Sequence, residues 1–143
     1  MFSRSSGYAI QALTYLAAQP SGRLVGAREI ATTLKIPMPF LWKILRNLSE
    51  KKLVRSFKGV HGGYELARPA AAIRVYEVLA AGHDGDIPGN CVLGLAQCND
   101  REPCPMHAYW KGVREQIEAT IKTTTLADMA REMKHRGRKI SAR

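Results

Sequence analysis

The sequence predicts a mostly α protein: a winged helix-turn-helix domain with a two-stranded wing, followed by a long helix. Three observations carry that expectation. Residues 36–64, IPMPFLWKILRNLSEKKLVRSFKGVHGGY, hold Leu41, Ile44, Leu45 and Leu48 at the i, i+3, i+4, i+7 spacing of one buried helix face, with Leu53 after a turn. Leu53-Val54 and Tyr64-Glu65-Leu66 then flank a tip, Lys58-Gly59-Val60-His61-Gly62-Gly63, whose glycines permit a tight hairpin. Residues 105–123 repeat Met106, Trp110, Val113, Ile117 and Ile121 at three- and four-residue steps, the pattern of a long amphipathic helix.

Each element follows in order. Residues 5–19 place Tyr8, Ala9, Leu13, Leu16 and Ala17 on one helical face, with Ser5 or Ser6 as the expected cap and Pro20-Ser21-Gly22 as the stop. Residues 27–34 form a short helix with Ala27, Ile30, Ala31 and Leu34 inward. Lys35-Ile36-Pro37 is the turn, without the glycine common in such motifs. The next helix runs from Met38 to Lys51, with Pro37 and Pro39 at its start, where missing N–H groups cost least. Its other face carries Trp42, Lys43, Arg46, Asn47 and Glu50. Residues 53–67 make the wing. Residues 69–81 read as one more helix, opened by Pro69 and ended by Gly82. Residues 82–104 are rich in Gly, Pro, Asp and Asn and read as a loop, unusually long unless it binds something. Residues 124–143 begin with a turn at Leu126–Met129 and run into a basic, mobile tail.

The chain has 143 residues and a formal charge of +10, unevenly spread. Residues 1–80 hold 12 Lys/Arg against 4 Asp/Glu, residues 81–128 hold 4 against 7, and residues 129–143 hold 6 against 1. A basic first module implies a polyanionic partner. In a winged helix-turn-helix the second helix enters a major groove and the wing reaches phosphates or the minor groove. Pro39, Phe40, Lys43 and Arg46 are therefore expected at the groove, and Arg28, Arg55, Lys58, Val60 and His61 near the backbone or minor groove of double-stranded DNA. No apolar run approaches the roughly 20 residues of a membrane span, and no signal peptide is legible, so the chain reads as cytoplasmic. No Ser/His/Asp or Cys/His/Asn arrangement, phosphate loop or carboxylate pair is legible, which argues against an enzyme.

All three cysteines fall in one stretch, spaced Cys91-x6-Cys98-x5-Cys104-x2-His107. An odd count points away from a disulfide framework and toward a metal or redox site. Pro105 puts Cys104 at the expected N-cap of the long helix, where backbone N–H groups stabilise a thiolate. Three thiolates and an imidazole suit a Cys3His zinc site or an iron–sulfur cluster. Zinc usually takes pairs two to four residues apart, and the wider gaps here favour the larger cluster, with zinc and a cluster-free thiol redox sensor as alternatives.

These stretches resemble the IscR/NsrR type of winged-helix iron–sulfur regulators. The resemblance is carried by SSGYAIQAL at 5–13, REIATTLKIPMPFLWKILRNL at 28–48, LVRSFKGVHGGYELAR at 53–68, IRVYEVLAA at 73–81, the three cysteines, CPMHAYW at 104–110 and TLADM at 125–129. It implies a homodimer paired through the long helices, with a cluster near that interface whose state changes affinity for a palindromic operator. It implies Cys91, Cys98 and Cys104 as cluster ligands and His107 as the fourth ligand of a [2Fe-2S] cluster. The nitric-oxide-sensing branch, with [4Fe-4S], takes an aspartate from the partner's first helix, where this sequence has Gly7 and Tyr8. The first cysteine gap is one residue longer than that resemblance leads one to expect, and Pro37, Pro39 and Trp42 depart from the family's recognition helix. The implied organisation is a DNA-binding domain at 1–81, a cluster loop at 82–104, a dimerisation helix at 105–124 and a C-terminal segment at 125–143.

Overall fold

The computed structural model describes residues 2–82, 84, 91–93, 95 and 98–135. Much of the expected 82–104 loop, and the tail from 136 onward, therefore lie outside the described residues. Helix α1 spans Arg4–Ala17, α2 Ala27–Leu34 and α3 Met38–Glu50. Strands β1 (Val54–Phe57) and β2 (Gly63–Leu66) form an antiparallel ribbon. A 3-10 turn at Ala70–Ala72, α4 (Val75–Ala81), α5 (His107–Thr123) and α6 (Leu126–His135) follow.

Helix α1 is capped two or three residues earlier than its sequence suggested, at Ser3 rather than Ser5 or Ser6. Ser3, extended at its backbone, caps it by accepting from Ser6 N–H at 3.2 Å, while Ser6 itself is buried. Ala12 and Leu13 of α1 are fully buried against Ile30 and Leu34 of α2, Leu41 and Leu45 of α3, and Ile73. The turn between α2 and α3 manages without glycine because Lys35 itself adopts the left-handed conformation, φ 54°. That costs about 1–2 kcal/mol, and the backbone bond from Ile36 N–H to Ala31 O at 3.0 Å closes the turn.

The wing pairs Val54 with Leu66 and Phe57 with Gly63, and Val25 adds a bridge to Tyr64 through bonds of 2.8 and 3.0 Å. This bridge explains Gly63. Its φ is +152°, and a Cβ there would lie 2.8 Å from the Val25 carbonyl oxygen. At Gly62 a Cβ would sit 2.1 Å from the Phe57 carbonyl oxygen. Both glycines are needed for the hairpin to close on itself and on Val25.

Two expectations need correction. Residues 69–81 are not one helix: Ile73 and Arg74 are extended, and α4 starts only at Val75. The break lets Val75 N–H donate to Thr124 O and Leu126 N–H donate to Ile73 O, both at 2.9 Å, tying the α5–α6 junction to this stretch. Residues 126–135 are a helix, not a turn leading to a tail. Thr125 and Asp128 cap it reciprocally, at 3.0 and 3.1 Å. Leu126 is fully buried in the main core and Ala130 nearly so, with α6 packed on α1.

Leu126→Ala should therefore cost about 2–5 kcal/mol, the range for a buried leucine that leaves a cavity. Urea unfolding of the purified protein measures it; a cost within experimental error would mean that α6 only rests on the surface.

Candidate functional site

Burying Leu41, Ile44, Leu45 and Leu48 turns the opposite side of α3 outward. Pro39, Trp42, Lys43 and Arg46 follow that side at three- and four-residue steps, and all four are exposed. Phe40 lies beside them, 51% exposed. Arg46 reaches Glu50 at 3.3 Å in a water-facing pair, worth at most about 1 kcal/mol and readily exchanged for a phosphate. On the wing, Lys58, Val60 and His61 project from the tip, with Val60 97% exposed. Arg55 sits on β1, 3.6 Å from Glu65, and Arg28 is exposed on α2. All nine residues expected at DNA thus reach the surface.

Trp42 was not among those nine, yet it lies within the exposed stripe at 59% exposure. Its signal was available: positions 39, 42, 43 and 46 repeat the helical spacing of the buried face, displaced by two residues. Asn47 behaves differently. Its side-chain amide donates to the Ala81 carbonyl at 2.7 Å, joining α3 to the end of α4.

A second fixed point holds α2. Tyr15 O–H donates to Glu29 at 2.7 Å, and Arg23 pairs with the same carboxylate at 2.8 Å. The tyrosine hydroxyl first, then the arginine, hold the Glu29 carboxyl below the usual range.

The cysteine segment is only partly gathered. All three cysteines are thiols and half-buried. Cys104 is not the N-cap of α5. Met106 holds that position, and the Cys104 carbonyl instead accepts from His107 N–H at 2.9 Å. That bond closes a turn over residues 104–107, which moves the cap on by two. His107 is 7% exposed and lies between two groups. Its Nδ1 is 3.4 Å from Cys98 Sγ, and its Nε2 is 2.8 Å from Asp100 Oδ1. Lys111 Nζ reaches both Asp100 oxygens at 3.2 Å. The imidazole first, then the lysine, hold the Asp100 carboxyl below its usual range. Cys98 and Asp100 meet opposite edges of the ring. Among the described residues no three such groups converge where one metal ion could touch them all. The structure thus brings together Cys98 and His107. Asp100 was not anticipated from the sequence, where nothing distinguishes it from the other acids of the stretch. His83 and the side chain of His135 lie outside the described residues.

Exposed apolar side chains also mark this end of the molecule. Val92, Leu93, Leu95, Met106, Tyr109 and Val113 are all more than 40% exposed. Helix α5 buries Ile121, with Ile117 half-buried beside it, against Val75 and Leu79 of α4.

A cationic helix stripe beside a β-ribbon, with a thiol-bearing segment feeding a long helix, defines a winged helix-turn-helix DNA-binding protein. Residues 2–132 match the model of a family described as Rrf2, iron-dependent transcriptional regulator. The chain is 36% identical over 138 residues to a protein of Aquifex aeolicus named as an HTH-type transcriptional regulator, covering 94% of this chain and 95% of that one. Among solved structures it is similar to IscR of T. potens, with a TM-score of 0.75, 25% identity and coverage of 96% and 91%. It shares its fold with CymR, the global cysteine regulator of B. subtilis, with a TM-score of 0.79, 22% identity and coverage of 92% and 97%. The chain belongs to the Rrf2 family and is a DNA-binding transcriptional regulator; the family and these neighbours are regulators, not enzymes. No helix among the described residues is long and apolar enough to cross a membrane.

The lowered Glu29 carboxyl stabilises the fold above the ordinary carboxylate range, and that contribution is lost as pH falls through its own lowered pKa. Tyr15→Phe should move the Glu29 titration up toward the ordinary ~4.3 and begin acid unfolding at a higher pH. Carboxyl-carbon NMR titration reads the first effect and melting temperature against pH the second; an unmoved titration would refute the hydroxyl's role.

Proposed function

We propose that this protein is a homodimeric, cytoplasmic regulator of a palindromic operator whose affinity is switched by an iron–sulfur cluster, [2Fe-2S] in preference to [4Fe-4S]. The ligands are Cys91, Cys98, Cys104 and His107. One observation carries the switch: the Cys98 thiol lies against His107 Nδ1, at the first residue of α5. Three thiols and an imidazole in one segment fit a cluster by donor type. The family description and the likeness to an IscR support the same reading. When bound, the cluster supplies one-electron redox chemistry and sensitivity to oxidants and nitric oxide.

The protein's own residues do the rest. In this reading residues 1–81 meet DNA, 82–104 hold the cluster, 105–124 pair the protomers and 125–143 seat α6 on the first module. Tyr109 and Val113 of α5, exposed beside Met106, supply the apolar stripe that a second α5 covers. A two-fold dimer then presents two α3 helices to two operator half-sites. Lys43, Arg28, Arg55, Lys58 and His61 position the protein on phosphates, while Arg46, Phe40, Trp42 and Pro39 face base edges. Val60 at the wing tip enters the minor groove. The signal path is short. The cysteine segment starts after Gly82, and the preceding Ala81 carbonyl is held by Asn47 of the recognition helix. Asp84, just beyond, accepts from Ser3 N–H at the start of α1 at 2.7 Å. Ordering of the segment therefore pulls on both α3 and α1.

A second reading, a cluster-free thiol redox sensor, rests on the contact between Cys98 and the His107 imidazole and on the fold shared with CymR, a cysteine regulator.

Operator affinity should fall steeply with salt, and Lys43→Ala should lower the slope of log K against log salt by about 1 while weakening all sequences alike. Replacing operator thymines with deoxyuridine, base by base, should find a methyl whose loss costs wild type about 0.8 kcal/mol, the value of one buried carbon group, and costs Trp42→Ala nothing. Trp42→Ala protein that retains the full methyl preference would remove Trp42 from the readout.

For the cluster, anaerobically purified protein should be brown, with matching iron and sulfide. Holo and apo protein should differ in operator affinity at one salt concentration, by five- to 150-fold if the coupling has the usual size of about 1–3 kcal/mol. Asn47→Ala should shrink that ratio toward one. Colourless protein carrying one zinc per chain would replace the cluster by a structural metal. Equal holo and apo affinities would end the switching hypothesis.

A further inference from the structure

The geometry points to Asp100 as a positioning residue for His107: its carboxylate accepts the Nε2–H, fixes the ring as that tautomer and leaves the Nδ1 lone pair directed at Cys98. The inference deepens the metal reading above and rests on it for its purpose, but not for its test.

The argument is one of donors and acceptors. Asp100 Oδ1 and His107 Nε2 are 2.8 Å apart, and a carboxylate has only acceptors to offer. A neutral ring protonated at Nδ1 would set two lone pairs against each other at that distance. The Nε2–H tautomer makes a charge-assisted hydrogen bond there instead. Nδ1 is then the acceptor facing Cys98 Sγ at 3.4 Å, and in the metal-free protein it accepts a hydrogen bond from the thiol S–H. A ring nitrogen whose partner N–H is held by a carboxylate is the usual arrangement of a metal-ligating histidine. Nδ1, on the cysteine side, is accordingly the nitrogen available to a thiolate-held group.

Asp100 is itself held in place. Asn99 Oδ1 accepts from Arg101 N–H at 3.0 Å and Glu102 N–H at 2.9 Å, a local turn that presents the next side chain outward. Lys111, one turn along α5 from His107, binds both Asp100 oxygens, so one carboxylate spans the first two turns of the helix. His107 is almost wholly buried, so little water competes for its ring. Asp100 is 72% exposed in its side chain, and its replacement removes no core packing.

The test uses full-length, metal-free, reduced protein labelled with 15N-histidine. Two-bond 15N–1H spectra are recorded at the alkaline plateau of a pH series, where the ring signals no longer move with pH. His107→Gln assigns its signals among the four histidines. Wild type should show His107 as the single Nε2–H tautomer. Asp100→Asn should keep it, because the amide oxygen still accepts. Lys111→Ala should keep it too, because the carboxylate is untouched. Asp100→Ala should give a mixture of tautomers. In protein reconstituted with iron and sulfide, Asp100→Ala should lose metal about ten- to hundredfold more readily, with an altered nitrogen hyperfine coupling in pulsed EPR. An Nδ1–H tautomer in wild type, an unchanged ring in Asp100→Ala, or equal scrambling in Lys111→Ala would each overturn the inference. Wild-type protein that takes up no metal would instead defeat the cluster reading, and the tautomer result would stand by itself.

Discussion

Everything on the DNA side depends on how one face of α3 is buried. Leu41, Leu45 and Leu48 lose essentially all their solvent exposure, and Ile44 nearly all, against α1 and α2. At about 1.5–3 kcal/mol for each fully buried side chain, these four contacts far outweigh the exposed Arg46–Glu50 pair. A helix gripped that firmly along one stripe has no rotational freedom. The opposite stripe is therefore presented to water whatever its own preferences, and that is how a tryptophan comes to stand in solvent. The Tyr15–Glu29–Arg23 contact and the Val25–Tyr64 bridge extend the same control, holding α2 to α1 and the wing to the connection before α2.

The α5 side is built on different physics. Only Ile121 and His107 of α5 are buried, and its main partner is the short α4. Fewer apolar contacts mean lower local stability, which suits the rearrangement that the proposed switch requires. Helix α5 meets the DNA-binding module through the small apolar cluster of Ile121 and Ile117 with Val75 and Leu79, and the segment after α4 adds two polar ties: an amide from α3 to the last carbonyl of α4, and an aspartate to the start of α1. Hydrogen bonds are directional, so small shifts of the segment after Ala81 are felt at both helices. A nonpolar contact of the same size would tolerate such shifts.

The Asp100–His107–Cys98 series joins these parts. It sits at the start of α5, where the helix emerges from the thiol-bearing segment, and orders a buried ring by an exposed carboxylate. The polar group that orients the ring can thus be reached from water, while the ring and the thiol beside it are sheltered.

Local pattern determined much of this protein. Periodicity alone located α2 and α3 within a residue or so, glycines located the wing tip, and clustered cysteines marked the candidate site. Such features depend on neighbours in the chain, through helical spacing and backbone sterics. The signature Thr125-x-x-Asp128 was equally local and marked the start of α6, but the surrounding basic composition masked it. Other features were decided only in three dimensions. That residues 69–81 break at Ile73 follows from bonds to Thr124 and Leu126, some 50 residues away. Asn47 turns from the groove because a carbonyl of α4 lies within reach. Asp100, rather than any other acid of its stretch, meets His107 because a local turn and the emerging helix bring the two side chains together. Hydrogen bonds between distant residues leave no periodic trace in a sequence, since their partners are chosen by packing rather than by spacing.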